Sequence, residues 1–298
     1  MQEIFKSIYR EIMPVFLRVK LGKVRFKYTY KRYYREIIKM KLPYADAYRK
    51  EIEYLKKNGQ FEIFPHAFNK KYQNLKINVI REGKNSLPYL IHDGKKLFFP
   101  SEYNDIMISN IYSALLLEQD NQSPHKYFTE NFQIGGILLD IGAAEGIISL
   151  ECVDIMDKIY LFECEAKWID ALKETFKPWK DKVCIIKKFV SDVNTENEIS
   201  LDKFISEESI GFDQKIIMKI DVEGAERKVL DGAKCTIKRD LIKLAICAYH
   251  RKDDEEILRH MLESNGFQVS ASDGYMLWPY GEDFEAPFFR RGLLRAEK

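Results

Sequence analysis

An acid closes one apolar run, Leu138-Leu139-Asp140. A turn, Ile141-Gly142-Ala143-Ala144-Glu145-Gly146, leads from it into a second apolar run, Ile147-Ile148-Ser149-Leu150. Two glycines four apart between such runs predict a buried strand, a tight turn and a helix start, the arrangement that presents helix N–H groups to an anionic ligand. A dinucleotide site would carry G-x-G-x-x-G, with three glycines for the turn, the pyrophosphate approach and helix packing. Here Asp140 occupies the first position and the third glycine is missing. An acid before a Gly-Ala turn suits instead a ligand bearing both an ammonium and a carboxylate, as S-adenosylmethionine does. Asp140, Gly142, Ala143 and Gly146 are therefore candidate cofactor-binding residues.

A second strand-like run, Lys158-Ile159-Tyr160-Leu161-Phe162, ends in Glu163, about 20 residues beyond the turn, where an acid accepts from both ribose hydroxyls. Taken singly, Asp140 reads as a helix cap and Glu163 as a solvated strand end; together, in this order and at this spacing, they favour the cofactor. Asp192, after a third run, is placed to accept from an adenine amino group, or else is a turn residue before Val193-Asn194. The fourth run ends in Lys219-Ile220-Asp221-Val222-Glu223-Gly224-Ala225-Glu226, where a helix cap explains one acid but not three. A fifth ends in Tyr249-His250. His125 lies in the polar segment Asp120-Asn121-Gln122-Ser123-Pro124-His125-Lys126-Tyr127, a loop placed to fold over a cleft and bring the imidazole to cofactor or substrate; the alternative is a solvated loop histidine.

Ligands of open α/β sheets bind outside the carboxyl ends of the strands, so these strand-end residues need a parallel sheet behind them. From Gly136 onward strand and helix alternate. Helices are expected at Lys167–Phe176, Leu201–Glu208, Glu226–Lys238 and Asp254–Ser264, between strands at Lys158–Phe162, Val183–Val190, Lys215–Ile220 and Leu241–Ala248. That alternation predicts an α/β fold, a mostly parallel doubly wound sheet. The closing runs Phe267–Ser270, Gly274–Trp278 and Phe288–Arg295 have no helix between them and predict an antiparallel edge. Upstream, helices are expected at Gln2–Val19 and at Tyr44–Lys57, the latter started by Pro43. A small β-element follows at Lys76–Arg81, Tyr89–His92 and Lys95–Phe99, then a helix capped by Ser101 or Asn104 and running to about Glu118. The expected division is a mainly helical accessory region, 1–119, and a cofactor-binding domain, 120–298.

A chain of 298 residues fits one large domain plus an appendage, and 46% hydrophobic with 13% aromatic residues supports a packed core. The net charge of +2 is unevenly spread: residues 1–60 hold 16 Lys/Arg against 6 Asp/Glu, a net +10, which leaves −8 for the rest. The basic front, with aromatics interleaved from Lys23 to Arg35, reads as a surface for anionic partners such as phospholipid, a diphosphate-linked glycan or nucleic acid. The alternative is a solvated helical face whose aromatics pack inward. No run reaches the roughly 18 apolar residues of a membrane span, and charges interrupt the N-terminus where a signal peptide would be apolar. A cytoplasmic protein is expected, with peripheral attachment to the inner membrane face left open. Cys152, Cys164, Cys184, Cys235 and Cys247 sit in apolar elements without a C-x-x-C pair and read as reduced core residues.

Asp140-Ile141-Gly142-Ala143, Phe162-Glu163, Lys219-Ile220-Asp221-Val222-Glu223-Gly224-Ala225-Glu226 with Val229-Leu230-Asp231-Gly232-Ala233, and the Tyr249-His250 strand end together resemble the FkbM family of S-adenosylmethionine-dependent methyltransferases. The resemblance covers roughly residues 120 to 270 and leaves the first hundred unexplained. Cys164 stands where the family usually has proline, and Ala248 where an acid often precedes the aromatic and histidine. The resemblance implies a Rossmann-like class I methyltransferase fold and O-methylation, often of a sugar hydroxyl in a glycan or glycosylated metabolite. In-line transfer needs the hydroxyl roughly 3 Å from the methyl and a group to take its proton. His250, with an ordinary pKa near neutrality, is the first choice of base, and Asp221 and Glu223 would orient the imidazole or the acceptor. A competing reading makes Asp221, Glu223 and His250 ligands of a divalent ion that acidifies the acceptor hydroxyl, although the spacing carries no metal-specific signature. Two rival functions follow from the basic front: a nucleic-acid methyltransferase, against which no aromatic-acid box for base amines stands at the fourth strand end, and a non-catalytic cofactor-binding protein docked to a membrane.

Overall fold

The computed structural model describes residues 29–40, 44–83, 86–129, 135–280 and 284–298. The helix expected at Gln2–Val19 and the Pro43 helix start lie outside them. The centre is a seven-stranded sheet built from β3 (Ile137–Ile141), β4 (Lys158–Phe162), β5 (Val183–Ile186), β8 (Ile216–Ile220), β9 (Ile242–Cys247), β10 (Gln268–Ala271) and β13 (Leu293–Glu297). The spatial order is β10-β13-β9-β8-β3-β4-β5. β3 pairs in parallel with β4 and β8, β4 with β5, and β8 with β9, whereas β13 runs antiparallel to both β9 and β10. This is the doubly wound parallel sheet with an antiparallel edge that the alternation predicts.

Period-2 alternation divides the sheet between two cores. Leu138, Ile159, Leu161, Ile217 and Ala245 face one layer, with helices α5 (Ile147–Cys152) and α6 (Ala166–Phe176). Ile137, Leu139, Ile141, Met218 and Leu244 face the other, with α7 (Leu201–Glu207), α8 (Glu226–Asp231) and α9 (Asp254–Glu263). The first layer also takes in Phe64, Phe68, Leu97 and Phe99, from the hairpin β1 (Tyr89–His92) and β2 (Lys95–Phe98) and the segments on either side of it, and Ile108 of α4 (Asp105–Glu118). Asn104, one of the two expected caps, accepts from the Met107 N–H at 2.9 Å. A third cluster packs the helix α1 (29–38) and α3 (Arg49–Asn58) against Leu277, Phe288 and Phe289.

Several expected elements are shorter than their apolar runs. Val183–Val190 divides into β5 and β6 (Phe189–Val190), and β6 leaves the main sheet to pair with β7 (Glu198–Ile199). Lys76–Arg81 forms no strand, only a single bridge from Ile80 to Tyr89. The helix expected from Glu226 to Lys238 ends at Asp231, where Gly232 packs against the Ser191 carbonyl, and resumes as a 3-10 turn at Thr236–Lys238. The Tyr44–Lys57 helix is interrupted at Tyr48 between α2 (Tyr44–Ala47) and α3. At the C-terminus, β11 (Met276–Leu277) pairs antiparallel with β12 (Phe289–Arg290) as a separate hairpin, so Phe288–Arg295 is not one strand.

Candidate active site

Strand order reverses between β3 and β8, and the carboxyl ends of β3, β4 and β8 open there into a cleft of about 480 Å³. Gly142, Glu163, Trp168, Phe189, Asp221 and Glu223 are among its lining residues. Gly142 turns at φ +81°, and a Cβ there would lie 1.8 Å from the Asp221 carbonyl oxygen, so only glycine lets the two strand ends approach this closely. The N–H groups of Gly142 and Ala143 donate to the Phe162 carbonyl at 3.0 Å, which ties the turn to β4. Glu163 is 7% exposed; its carboxylate accepts from the Ala144 N–H at 2.8 Å and the Glu165 N–H at 2.7 Å. Those two bonds fix its plane and leave acceptor capacity for a diol.

Behind the turn, the parallel register sets Lys219 beside Asp140. The ammonium lies 3.1 Å from Asp140 Oδ1 and donates to the Gly142 carbonyl; Ser149 Oγ donates to Asp140 Oδ2 at 2.7 Å. Burial opposes the Lys219 charge, but Asp140 and Asp221 outweigh it and hold its pKa raised. The pair locks the turn from beneath.

At the β8 end a second cluster forms. Tyr127 donates to Asp221 Oδ2 at 2.6 Å. His250 Nδ1 is 2.8 Å from Glu226 Oε1, and since a carboxylate only accepts, Nδ1 carries the proton. His250 Nε2 then points to Asp221 Oδ1 at 3.6 Å and Glu223 Oε2 at 3.5 Å. Both Nε2 and Asp221 Oδ1 are buried with no hydrogen-bond partner within the protein. Burial lowers the His250 pKa, but the Glu226 hydrogen bond and charge, with Asp221 and Glu223, reverse it to a net rise. Burial likewise raises Asp221, and Lys219, His250 and His125 overcome it to keep that carboxyl below its ordinary value. Asp221, Glu223 and His250 each offer a ligand atom within 4.8 Å of the others.

Of the residues expected from the sequence, Gly142, Glu163, Asp221 and Glu223 line the cleft, and His250 joins them through its ion pairs. Asp140 is 1% exposed and turned toward Ser149 and Lys219 beneath the turn. Ala143 and Gly146 shape the turn: Gly146 adopts φ +79° against Leu172 and Phe176 and opens α5. Asp192 is exposed beyond the cleft, whose lining on that side comes from Lys188, Phe189 and Val190; the split of the third strand carries it away. His125 is no solvated loop residue. It is 2% exposed, its Nε2 lies 3.0 Å from the Tyr249 hydroxyl, and burial lowers its pKa to about 4.

Glu226, Lys219, Tyr127 and Tyr249 carry the geometry although none is among the site residues expected from the sequence. Glu226 had a signal, being the third acid of a motif in which a cap accounts for one. Glu145 had none: burial pushes its carboxyl up to about 7. Trp168 and Phe189 reach the cleft from a helix and a side strand, and no local pattern marks them.

A family model described as Methyltransferase FkbM domain matches residues 46–269, farther toward the N-terminus than the motifs themselves reach. No curated protein sequence matches the chain. Among solved structures, methyltransferase FkbM from Methylobacillus flagellatus KT is similar at 18% identity and a TM-score of 0.43, with 65% of this chain and 55% of that one covered. The chain thus spans little more than half the length of that protein. Precorrin-6y C5,15-methyltransferase from Geobacter metallireducens GS-15 is similar at 15% identity and a TM-score of 0.37, over 56% of this chain and 82% of that one. An rRNA methylase from Streptococcus thermophilus is similar at 12% identity and a TM-score of 0.35, over 66% and 98%. Among the described residues no helix is long and apolar enough to cross a membrane.

Proposed function

Since the chain belongs to the FkbM family of S-adenosylmethionine-dependent methyltransferases, we propose that it transfers a methyl group from that cofactor to a hydroxyl oxygen, most suitably on a saccharide. The observation that carries this reading is the His250 imidazole, held at Nδ1 by Glu226 and unpartnered at Nε2 beside a cofactor-sized cleft. The cleft volume lies within the range of small-molecule sites. Glu163 would hold the ribose diol, and Trp168, Phe189 and Val222 would cover the adenine. Asp221 and Glu223 supply negative charge near a sulfonium. The bound cofactor supplies an electrophilic methyl carbon.

In its neutral form His250 accepts the acceptor's hydroxyl proton at Nε2 as the oxygen attacks, while Nδ1–H stays on Glu226. Asp221, pinned by Tyr127, and the 77% exposed side chain of Glu223 stabilise the resulting imidazolium and pass its proton toward water. A second reading rests on the unpartnered Asp221 Oδ1 and His250 Nε2: together with Glu223 they would hold a divalent cation, which would acidify the hydroxyl. Activity abolished by EDTA and restored by Mg²⁺ or Mn²⁺ would favour it over the base.

Titration calorimetry with S-adenosylhomocysteine, alongside transfer of labelled methyl to a saccharide panel, tests the proposal. Glu163→Ala is expected to weaken binding at least ~10-fold, the scale of one lost charge-assisted hydrogen bond. His250→Ala is expected to bind normally and lose roughly 10²–10⁴-fold in turnover. A folded wild type that binds no S-adenosylhomocysteine sinks the reading, and label appearing in RNA instead replaces its saccharide half.

A further inference from the structure

The β11–β12 hairpin lies beyond residue 269, where the family match ends, yet it is fastened to the histidine that serves as base. Arg290 of β12 donates from Nη1 to the carbonyls of Tyr249 at 2.6 Å and His250 at 3.0 Å. Leu277 of β11 donates from its N–H to the Ile63 carbonyl at 2.8 Å. Immediately after β11, the half-buried Trp278 ring sits 5.3 Å from His250 at 83° and 4.7 Å from Tyr249 at 63°. Tyr280 continues outward, 4.8 Å from Trp278 at 74° and 57% exposed, and its hydroxyl meets that of Tyr30 at 3.3 Å. An aromatic wall therefore leads from the base to the surface.

Building on the methyl-transfer reading above, we propose that Trp278 and Tyr280 form the acceptor platform, on which a saccharide ring lies with one hydroxyl presented to His250 Nε2. A π face carries partial negative charge and attracts the weakly positive C–H groups on the apolar side of a pyranose. The indole packs edge-to-face on the imidazole, which puts the platform directly beside the base. The wall contains no parallel pair of rings between which a nucleobase would be sandwiched. Asp221 and Glu223 at its inner end accept from sugar hydroxyls but repel phosphates, which favours a polyhydroxylated ring over a nucleic acid. The hairpin lies outside the shared family region, as expected of an element that selects the acceptor.

The test is saturation-transfer NMR on the full chain loaded with S-adenosylhomocysteine, using methyl glycosides of common hexoses and 6-deoxyhexoses, with a short RNA oligomer as the rival probe. Saturation of pyranose C–H protons is expected in the wild type. Affinity should weaken about tenfold in Trp278→Ala, the upper scale of one aromatic contact, weaken in Tyr280→Ala and be largely kept in Trp278→Phe. S-adenosylhomocysteine affinity should be unchanged in all three. Absence of transfer to every pyranoside, equal transfer in the alanine variants, or Trp278-dependent saturation of RNA bases overturns the platform while leaving the methyl-transfer reading standing. Loss of S-adenosylhomocysteine binding by the wild type removes both. Tyr280 is exposed, so its variant decides the matter even if Trp278→Ala fails to fold.

Discussion

His250 is held at one nitrogen and unpartnered at the other, and that asymmetry suits a base. Burial by itself would keep the imidazole neutral, but the Glu226 hydrogen bond, with Asp221 and Glu223 nearby, raises its pKa overall. The protonated form cannot accept, so kcat/KM should rise with pH through an inflexion above the ordinary value of about 6.5. The stability linked to this shift is complete below about 6.5 and fades as pH rises through the raised value. Glu226→Gln keeps the shape and removes the charge; the inflexion should move to lower pH and the plateau fall about tenfold or more as the weaker base loses its orientation. An unmoved inflexion would remove Glu226 from the support of the base.

The two elements that meet at the switch point, the β3–α5 turn and the end of β8, tolerate no extra atom between them. Asp221 N–H donates to the Ile141 carbonyl at 3.0 Å, and its own carbonyl occupies the space of a Gly142 Cβ. Gly142→Ala must therefore part the strand ends. S-adenosylhomocysteine affinity is expected to fall at least ~10-fold and the melting temperature by on the order of 5 °C, from strain of roughly 1–3 kcal/mol. Gly94→Ala is the control, because Gly94 is also at positive φ, +77°, but a Cβ added there would meet nothing within 4 Å. It should lose some stability and keep its cofactor affinity.

Across the whole molecule, the β1–β2 hairpin and α4 share one hydrophobic layer with α5, α6 and the sheet. Leu97, fully buried in β2, contacts that layer although it lies in the region expected from the sequence to be accessory. We expect urea unfolding followed by circular dichroism and by tryptophan fluorescence to give one coincident transition. Leu97→Ala should destabilise the whole of it by about 2–5 kcal/mol. Two separate transitions, or a Leu97→Ala effect confined to one, would instead favour the division at residue 119.

The Gly142 turn, Glu163, the three acids from Asp221 to Glu226 and the Tyr249-His250 strand end were legible in the chain because each belongs to a short motif at the end of an apolar run. The parallel sheet and its antiparallel edge were equally legible, because strand and helix alternate and then cease to alternate. The exposed position of Asp192 outside the cleft lining is not legible, because propensity cannot show that a strand will break at Lys187-Lys188 and pair elsewhere. The contacts of Tyr127 with Asp221 and of Trp278 with His250 are not legible, because each joins segments distant in sequence. Local sequence thus determined which residues stand at strand ends, since the periodicity of side chains is a property of the chain itself. Only the tertiary structure decided which nitrogen of His250 is held and which ring faces it, because hydrogen-bond direction and ring packing exist only once the segments meet.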